Sequence, residues 1–398
     1  MQLSQRIQQL TPSLTLAIDA KAKELQRQGA DVVNLGAGEP DFDTPAPVVE
    51  AAHQAALAGK TKYTPTAGIP ELRSAIAARV SKTHGIAVDA AEIVVSNGAK
   101  QALYNALQAV VNPGDDVLVF APYWVSYPDM IALAGGRMVP VAVHEGSFEP
   151  NLAALEESCT ARTRGLILNS PTNPTGAVYS RETIEAIVDF ARRKDLWILS
   201  DEMYELLVYD GAKHVSPSQI GAEGRARTLM ASGFSKSFAM TGWRCGYLVA
   251  PKQVASAVAT LQGQMTTNVN TPTQWAALAA LDLDDSVMGA MVKEFGERRR
   301  LLVRGMSEIL RGRAPVHEPR GAFYLMQDVR PFLGKRFRDR PLRDDRELGE
   351  ALLDSALVAT VPGSAFAAPG FIRLSYATSR ENLQKAVARM GAFLNELA

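Results

Sequence analysis

Residues Ser232 to Tyr247 read SGFSKSFAMTGWRCGY. The segment sits between two short branched-apolar runs, RTLMAS at 227–232 and GYLVA at 246–250, so it is predicted to connect two strands. Lys236 falls in a small-residue turn directly after the first strand, and Arg244 follows eight residues later. A loop lysine beside glycine is, alone, most simply a surface charge. Its meaning depends on what else the chain brings to the same end of the same sheet.

Working outward, similar runs recur as EIVVS (92–96), DVLVF (116–120), RMVPVAV (137–143), RGLILN (164–169) and LWILS (196–200). Helical patterns such as 101–110 and 181–194 lie between most of them. Strands alternating with helices predict an α/β unit with a mainly parallel central sheet flanked by helices, with its ligand site at the carboxyl ends of the strands. The flanks differ. Residues 13–28 read as an amphipathic helix ending at Gly29, and a long charged helix after Asp284 leads into the strand-like GAFYLMQDV, VATV and FIRLSY segments and a last helix over 380–397. The predicted division is 1–45 as an arm and part of a small domain, 46–283 as the large domain, and 284–398 as the rest of a smaller α+β domain built from both chain ends.

Composition bounds the partners. The 398 residues carry 42 Lys plus Arg against 42 Asp plus Glu, so no net field gathers a polyanion, and nucleic acid is not an expected partner. No window approaches the roughly 18 uninterrupted apolar residues of a membrane span. Cys159 and Cys245 are the only cysteines, and the first residues lack the layout of a signal peptide, so a cytoplasmic location is expected. Cys245 is expected to be a small buried thiol. The histidines at 53, 84, 144, 214 and 317 show no H-x-H or H-E-x-x-H spacing and read as surface or capping residues, with no metal chemistry expected. The ERRR run at 297–300 reads as the solvated face of a helix.

Three further segments fall where strands end. Ser96 to Gln101, SNGAKQ, hands a strand to a helix, where free backbone N–H groups and the helix dipole suit an anion; an ordinary Asn-Gly turn is the plainer alternative. Asn173-Pro174-Thr175-Gly176 follows another strand, and Asp201-Glu202-Met203-Tyr204 a third. An aspartate there is commonly a cap, yet it is also the group that keeps a ring nitrogen protonated through a charge-assisted hydrogen bond.

Taken in order, GEPDF (38–42), KYTPTAG (62–68), SNGAKQ, PYWVSYP (122–128), NPTG, DEMY, SKSFAMTGWR and RLSYATS (373–379) resemble the motif set of class I aminotransferases, the fold-type-I pyridoxal-phosphate enzymes. The resemblance runs from about residue 3 to the end and is nearest to the bacterial aspartate aminotransferases. It implies that Lys236 forms the Schiff base with pyridoxal 5′-phosphate and then moves the substrate proton, that Asp201 faces the pyridine nitrogen, and that Asn173 and Tyr204 meet the ring oxygen. The phosphate falls to Gly98, Ala99, Lys100, Ser235 and Arg244, with Tyr63 reaching in from a partner subunit, which implies a homodimer. Trp124 lies against the ring. Arg373, assisted by Asn173 and Gly38, grips the substrate α-carboxylate, and Lys100 meets the distal carboxylate of aspartate or glutamate. The expected partners are thus amino acids and 2-oxo acids.

Two positions depart from the pattern. Members of the family commonly carry a hydroxyl three residues before the lysine, where this chain has Gly233. Some carry a basic residue before the early proline, associated with prephenate, where this chain has Thr11. Transamination of alanine, of an aromatic donor or of prephenate, and a lyase on the same fold, stand as the alternative activities.

Overall fold

The branched-apolar runs form one seven-stranded sheet, and all but the partly exposed edge run Arg137–Ala142 are buried on both faces and so carry no solvent-facing alternation. The computed structural model describes residues 1–8, 10 and 14–397; the expectation about Thr11 and Pro12 lies outside the described residues. The strands are β1 (Ile93–Ser96), β2 (Asp116–Ala121), β3 (Arg137–Ala142), β4 (Thr163–Asn169), β5 (Trp197–Asp201), β6 (Thr228–Gly233) and β7 (Gly246–Val249). Their spatial order is β1-β7-β6-β5-β4-β2-β3. Only β7 runs antiparallel to its neighbours, pairing Gly246 with Gly233 on one side and with Ser96 on the other. The remaining pairs are parallel, as the strand–helix alternation predicts.

Successive residues of each strand feed opposite faces. Ile167, Leu199 and Leu229 pack with Leu103 and Leu107, whereas Leu166, Leu168 and Ile198 pack with Ile184, Ile187 and Phe190. Burying one such leucine or isoleucine stabilises the fold by roughly 1.5–3 kcal/mol, so this sheet is a rigid platform for whatever its strand ends hold.

The main helices are α1 (Leu14–Arg27), α2 (Pro70–His84), α3 (Ala99–Val110), α4 (Asp285–Leu310) and α5 (Arg380–Asn395). Pro70 opens α2 at a position where its missing N–H costs nothing, and Gly85 closes it in the left-handed conformation, φ 66°. Beyond α4 lies a three-stranded antiparallel sheet, in which Phe371–Ser375 runs between Val361–Pro362 and Tyr324–Asp328. Val33–Asn34, which follows α1, pairs in parallel with Val358–Ala359. Segments from near both chain ends therefore meet.

One expectation fails on α4. Arg298 and Arg299 of the ERRR run are buried, at 7% and 1% exposure. Arg298 bridges Asp41 and Glu294, and Arg299 pairs with Asp210 and donates to the Pro319 carbonyl. A run of like charge marks a wet face only when no acidic or carbonyl acceptor folds onto it, and of these partners all but Glu294 come from outside α4. Among the described residues, no helix is long and apolar enough to cross a membrane.

Candidate active site

The carboxyl ends of β4, β5 and β6 open into a cavity of about 500 Å³. Gly38, Ala99, Lys100, Trp124, Asn173, Asp201, Tyr204, Ser235, Lys236, Arg244 and Arg373 all line it, although they are scattered over more than 300 residues of sequence. Gly98 lies one residue behind this wall, as the cap of α3. Tyr63 stands apart. It is 89% exposed and lines no part of the cavity.

Asp201 is the last residue of β5 and is buried. Its Oδ2 accepts from the Tyr127 hydroxyl at 2.7 Å and its Oδ1 from the Met203 amide at 3.3 Å. Burial pushes its carboxyl up to about 6, against the pull of those two donors. A carboxylate so poised gains from a cationic N–H placed against it. Asn169, at the end of β4, braces the neighbourhood: its amide donates to the Asp201 carbonyl at 2.9 Å, and its oxygen accepts the Asn173 N–H at 2.9 Å.

Lys236 follows β6 and extends to the Gly38 carbonyl, Nζ to O 2.5 Å. Burial lowers its basicity to about 8, and the nearby cations Arg244 and Arg373 add to that, while Glu39 and Asp201 oppose it. Near neutral pH a useful fraction of this amine is therefore unprotonated, which a nucleophile or proton-transfer base requires.

Arg373 comes from the middle strand of the small sheet. Its Nη1 donates to Asn173 Oδ1 at 3.0 Å and its Nη2 to the Gly36 carbonyl at 2.8 Å, while its plane lies over Tyr324, 4.4 Å from the ring centroid. Its Nε is buried with no partner among the described residues. A guanidinium with donor capacity to spare, lining a cavity and with a second ring, Phe366, 5.0 Å away, has the chemistry to receive a carboxylate.

Opposite it, α3 begins beside Arg244. Gly98 has φ 81°, and a Cβ there would sit 2.6 Å from Arg244 Nη2, so only glycine admits the guanidinium. Arg244 itself holds φ 55°, a strained conformation for a residue with a side chain, and donates to the Thr241 carbonyl at 2.9 Å. Gly246 approaches as closely: a Cβ there would meet the Ala99 N at 2.3 Å. Helix start, glycine and arginine together form an anion cradle. Lys100 extends from this end, 4.8 Å from the Trp124 ring centroid, with its basicity lowered by burial and by Arg244.

Gly233, where a hydroxyl was looked for, is explained by backbone crowding. A side chain there would run into Gly246 Cα at 2.7 Å. Ser235 and Ser237 are the buried hydroxyls adjacent to Lys236. Cys245 is fully buried, as expected, and burial pushes its thiol up to about 12.

Several residues here escaped the sequence reading. Tyr127 lies in PYWVSYP, three residues after Trp124, and a turn closed by its N–H on the Trp124 carbonyl at 3.1 Å sets the two rings edge to face, 5.4 Å apart. Tyr324, whose hydroxyl lies 2.9 Å from that of Tyr204, carried only the weak signal of a buried strand. The histidine expectation also fails in part. His84 and His214 are not surface caps but lie buried beside Glu202 and Glu205. Their positions are 130 residues apart, so no local spacing announces them.

The strand ends thus gather a buried acid, an amine of lowered basicity and two arginines around one cavity, a set able to hold anions beside a nucleophile. Residues 30–390 match the family model for class I and II aminotransferases, and the chain belongs to that family. It is 46% identical over 396 residues to an aspartate/prephenate aminotransferase of Thermus thermophilus, spanning 98% of both chains. It is 44% identical over 394 residues to an aspartate aminotransferase of Thermotoga maritima, spanning 99% of each. Among solved structures it is similar to the Thermus thermophilus aspartate aminotransferase with maleate, TM-score 0.91 and 45% identity, covering 99% of this chain and 100% of that one. An aspartate aminotransferase from Rhizobium meliloti gives TM-score 0.95 at 39% identity, covering all of both chains. The fold is that of the fold-type-I aminotransferases.

Proposed function

We propose that this aminotransferase works with pyridoxal 5′-phosphate and exchanges the amino group between aspartate and 2-oxoglutarate, giving oxaloacetate and glutamate in two half-reactions. The observation that carries the reading is the convergence of Lys100, Lys236, Arg244 and Arg373 on one cavity, with Asp201 as the buried anion among them. The donor set fits the cofactor: a glycine-lined helix start and an arginine for its phosphate, a buried carboxylate for its ring nitrogen, and an amine of lowered basicity for its aldehyde. When bound, pyridoxal phosphate supplies an aldehyde that captures amines and a ring that accepts electron density from the substrate Cα.

The chain's own groups do the rest. Arg244, Ser235 and the N–H groups from Gly98 to Lys100 hold the phosphate. Asp201, kept in place by Tyr127, accepts a hydrogen bond from the protonated ring nitrogen and so favours its cationic form. Asn173 and Tyr204 address the ring oxygen, and Trp124 covers the ring. Arg373 binds the α-carboxylate, which orients the Cα proton toward Nζ of Lys236, and that amine removes and returns it. Lys100 pairs with the distal carboxylate of a four- or five-carbon dicarboxylic acid.

Tyr63, exposed and away from its own chain's cavity, is read as a phosphate ligand for a second copy, making the working unit a homodimer. Both cysteines are unpaired, which suits a cytoplasmic setting. A second acceptor, prephenate, is raised by the names of the Thermus and Aquifex relatives.

A panel of amino donors tests the reading, scored by conversion of the visible cofactor band to the amine form. Aspartate and glutamate are expected to give the highest kcat/KM. A clear excess for alanine or an aromatic donor defeats the dicarboxylate assignment, and ammonia release without an oxo-acid acceptor defeats transamination.

A further inference from the structure

Beyond the end of β5, four side chains converge that do not line the cavity. His84 ends α2, Glu202 and Glu205 follow β5, and His214 lies in the loop beyond. His84 Nε2 is 2.9 Å from Glu205 Oε2 and 4.0 Å from Glu202 Oε2, and His214 Nε2 is 2.9 Å from Glu202 Oε2. One donor atom from each of the four lies within 4.8 Å of all the others. The side chains of His84, Glu202 and His214 are less than a tenth exposed. Glu205, at 15%, leaves the cluster an approach from solvent.

The carboxylates are oriented from behind. Glu202 Oε1 accepts from Ser200 Oγ at 2.7 Å and Ser216 Oγ at 2.6 Å, and Glu205 Oε1 accepts from Ser232 Oγ at 3.2 Å. Both Oε2 atoms are thereby turned toward the two imidazoles. Oxygen-side hydrogen bonds of this kind are how proteins aim first-rank metal ligands. Both Nδ1 atoms lack a partner among the described residues, so each ring is held only through the Nε2 that faces the cluster.

We infer that His84, Glu202, Glu205 and His214 form a binding site for one divalent transition-metal ion of the zinc type, separate from the aminotransferase cavity. Two imidazole nitrogens and two carboxylate oxygens are a tetrahedral donor set for zinc or cobalt, whereas calcium and magnesium want six or more oxygens. Ligands about 2.0–2.2 Å from such an ion stand roughly 3.4 Å apart. The 2.9 and 4.0 Å contacts lie on either side of that spacing and no pair of donors is farther apart than 4.8 Å, so side-chain movements that open the short contacts and close the long ones admit the ion. Charge balances as well: the ion's two positive charges offset the two carboxylates. Each Nε2 must exchange its proton for the metal. A cationic histidine gives that proton to solvent and keeps Nδ1–H, and a neutral one moves it from Nε2 to Nδ1. The ion would tie the end of α2 and the 214 loop to the turn that carries Asp201 and Tyr204.

The test uses the intact holoenzyme, stripped with a chelator and dialysed. Titration with Zn²⁺ by calorimetry is expected to show one ion per chain, and Co²⁺ in its place to produce the intense visible bands of a tetrahedral N/O site. His214→Gln and, separately, Glu205→Gln are expected to weaken Zn²⁺ binding by at least about 100-fold, since even changes behind the ligands cost 10–100-fold. Parent protein that takes up no stoichiometric Co²⁺ overturns the site. So do variants that both bind Zn²⁺ as tightly as the parent. The Co²⁺ spectrum needs no variant, so a substitution that fails to fold leaves the claim exposed to refutation.

Discussion

Arg373 Nη1 donates to Asn173 Oδ1 at 3.0 Å, joining the small antiparallel sheet to the loop after β4. The same guanidinium donates to the Gly36 carbonyl, from the segment that follows α1. One side chain thus gathers both flanks of the chain onto the strand ends of the central sheet, and in the proposed function all three fix where a substrate carboxylate binds. Its planar fork matters more than its charge. Arg373→Lys keeps the cation but loses bidentate geometry and the aromatic stacking. It is expected to lower kcat/KM for aspartate by about 10- to 100-fold, the worth of one charge-assisted hydrogen bond, with the visible cofactor spectrum unchanged. Steady-state kinetics beside an absorption spectrum check both halves, and an unchanged kcat/KM removes Arg373 from the site.

The lowered basicity of Lys236 has a direct kinetic reading. Its amine attacks an aldehyde only when unprotonated, and with a pKa of about 8 the neutral fraction falls tenfold for each pH unit below that value. Cofactor-free protein should therefore capture pyridoxal phosphate at a rate that rises steeply to about pH 8 and levels above it. Stopped-flow absorbance across pH 6 to about 10 measures this. A rate still climbing tenfold per unit beyond pH 9 would show an amine of ordinary basicity. Lys236→Ala should yield no cofactor fixed to the chain by borohydride and a kcat lower by about 10²- to 10⁴-fold.

Much of this site was legible because its chemistry rides on strand ends. A strand of branched residues followed by Asp201, or by the turn holding Lys236, gives both the element and the residue's place at its carboxyl end. Where the reading went wrong, the cause was contact between distant segments. Arg299 looked solvated because nothing local says that Asp210 and Pro319 will fold over it, and His84 looked like a cap because Glu205 lies 121 residues away. Tyr127 was missed for a related reason. Tyr127 opens a short helix and its partner, Asp201, ends β5 74 residues later, so its role exists only in the folded chain.

The anion cradle makes a prediction about a single methyl group. Gly98→Ala places Cβ 2.6 Å from Arg244 Nη2 and forces alanine to hold φ 81°. The backbone term alone is about 1 kcal/mol, and the displaced guanidinium loses its hold on a phosphate. Pyridoxal phosphate should bind at least about 10-fold more weakly, while pyridoxal, which lacks the phosphate, should bind nearly as before apart from the backbone strain. Equilibrium titration with the two compounds separates these. Equal weakening for both would mean that the methyl disturbs the cavity generally rather than the phosphate end.

Under the proposed function Lys100 is the residue that selects dicarboxylic acids. Among the described residues no carboxylate forms an ion pair with it, and burial with Arg244 beside it already lowers its basicity, so a distal carboxylate is a partner that restores its preference for the charged form. Lys100→Gln retains length and a donor but removes the charge. For aspartate and 2-oxoglutarate kcat/KM should fall by about 10- to 100-fold, the equivalent of about 1.5–3 kcal/mol for a hydrogen bond to a charged group. For alanine, which has no distal carboxylate, it should change by less than about threefold. The ratio of the two effects is the diagnostic quantity, because loss of a phosphate ligand would depress every substrate alike. If alanine and aspartate lose activity in the same proportion, Lys100 belongs to the cofactor, and the choice of dicarboxylic acids must be made elsewhere in the cavity.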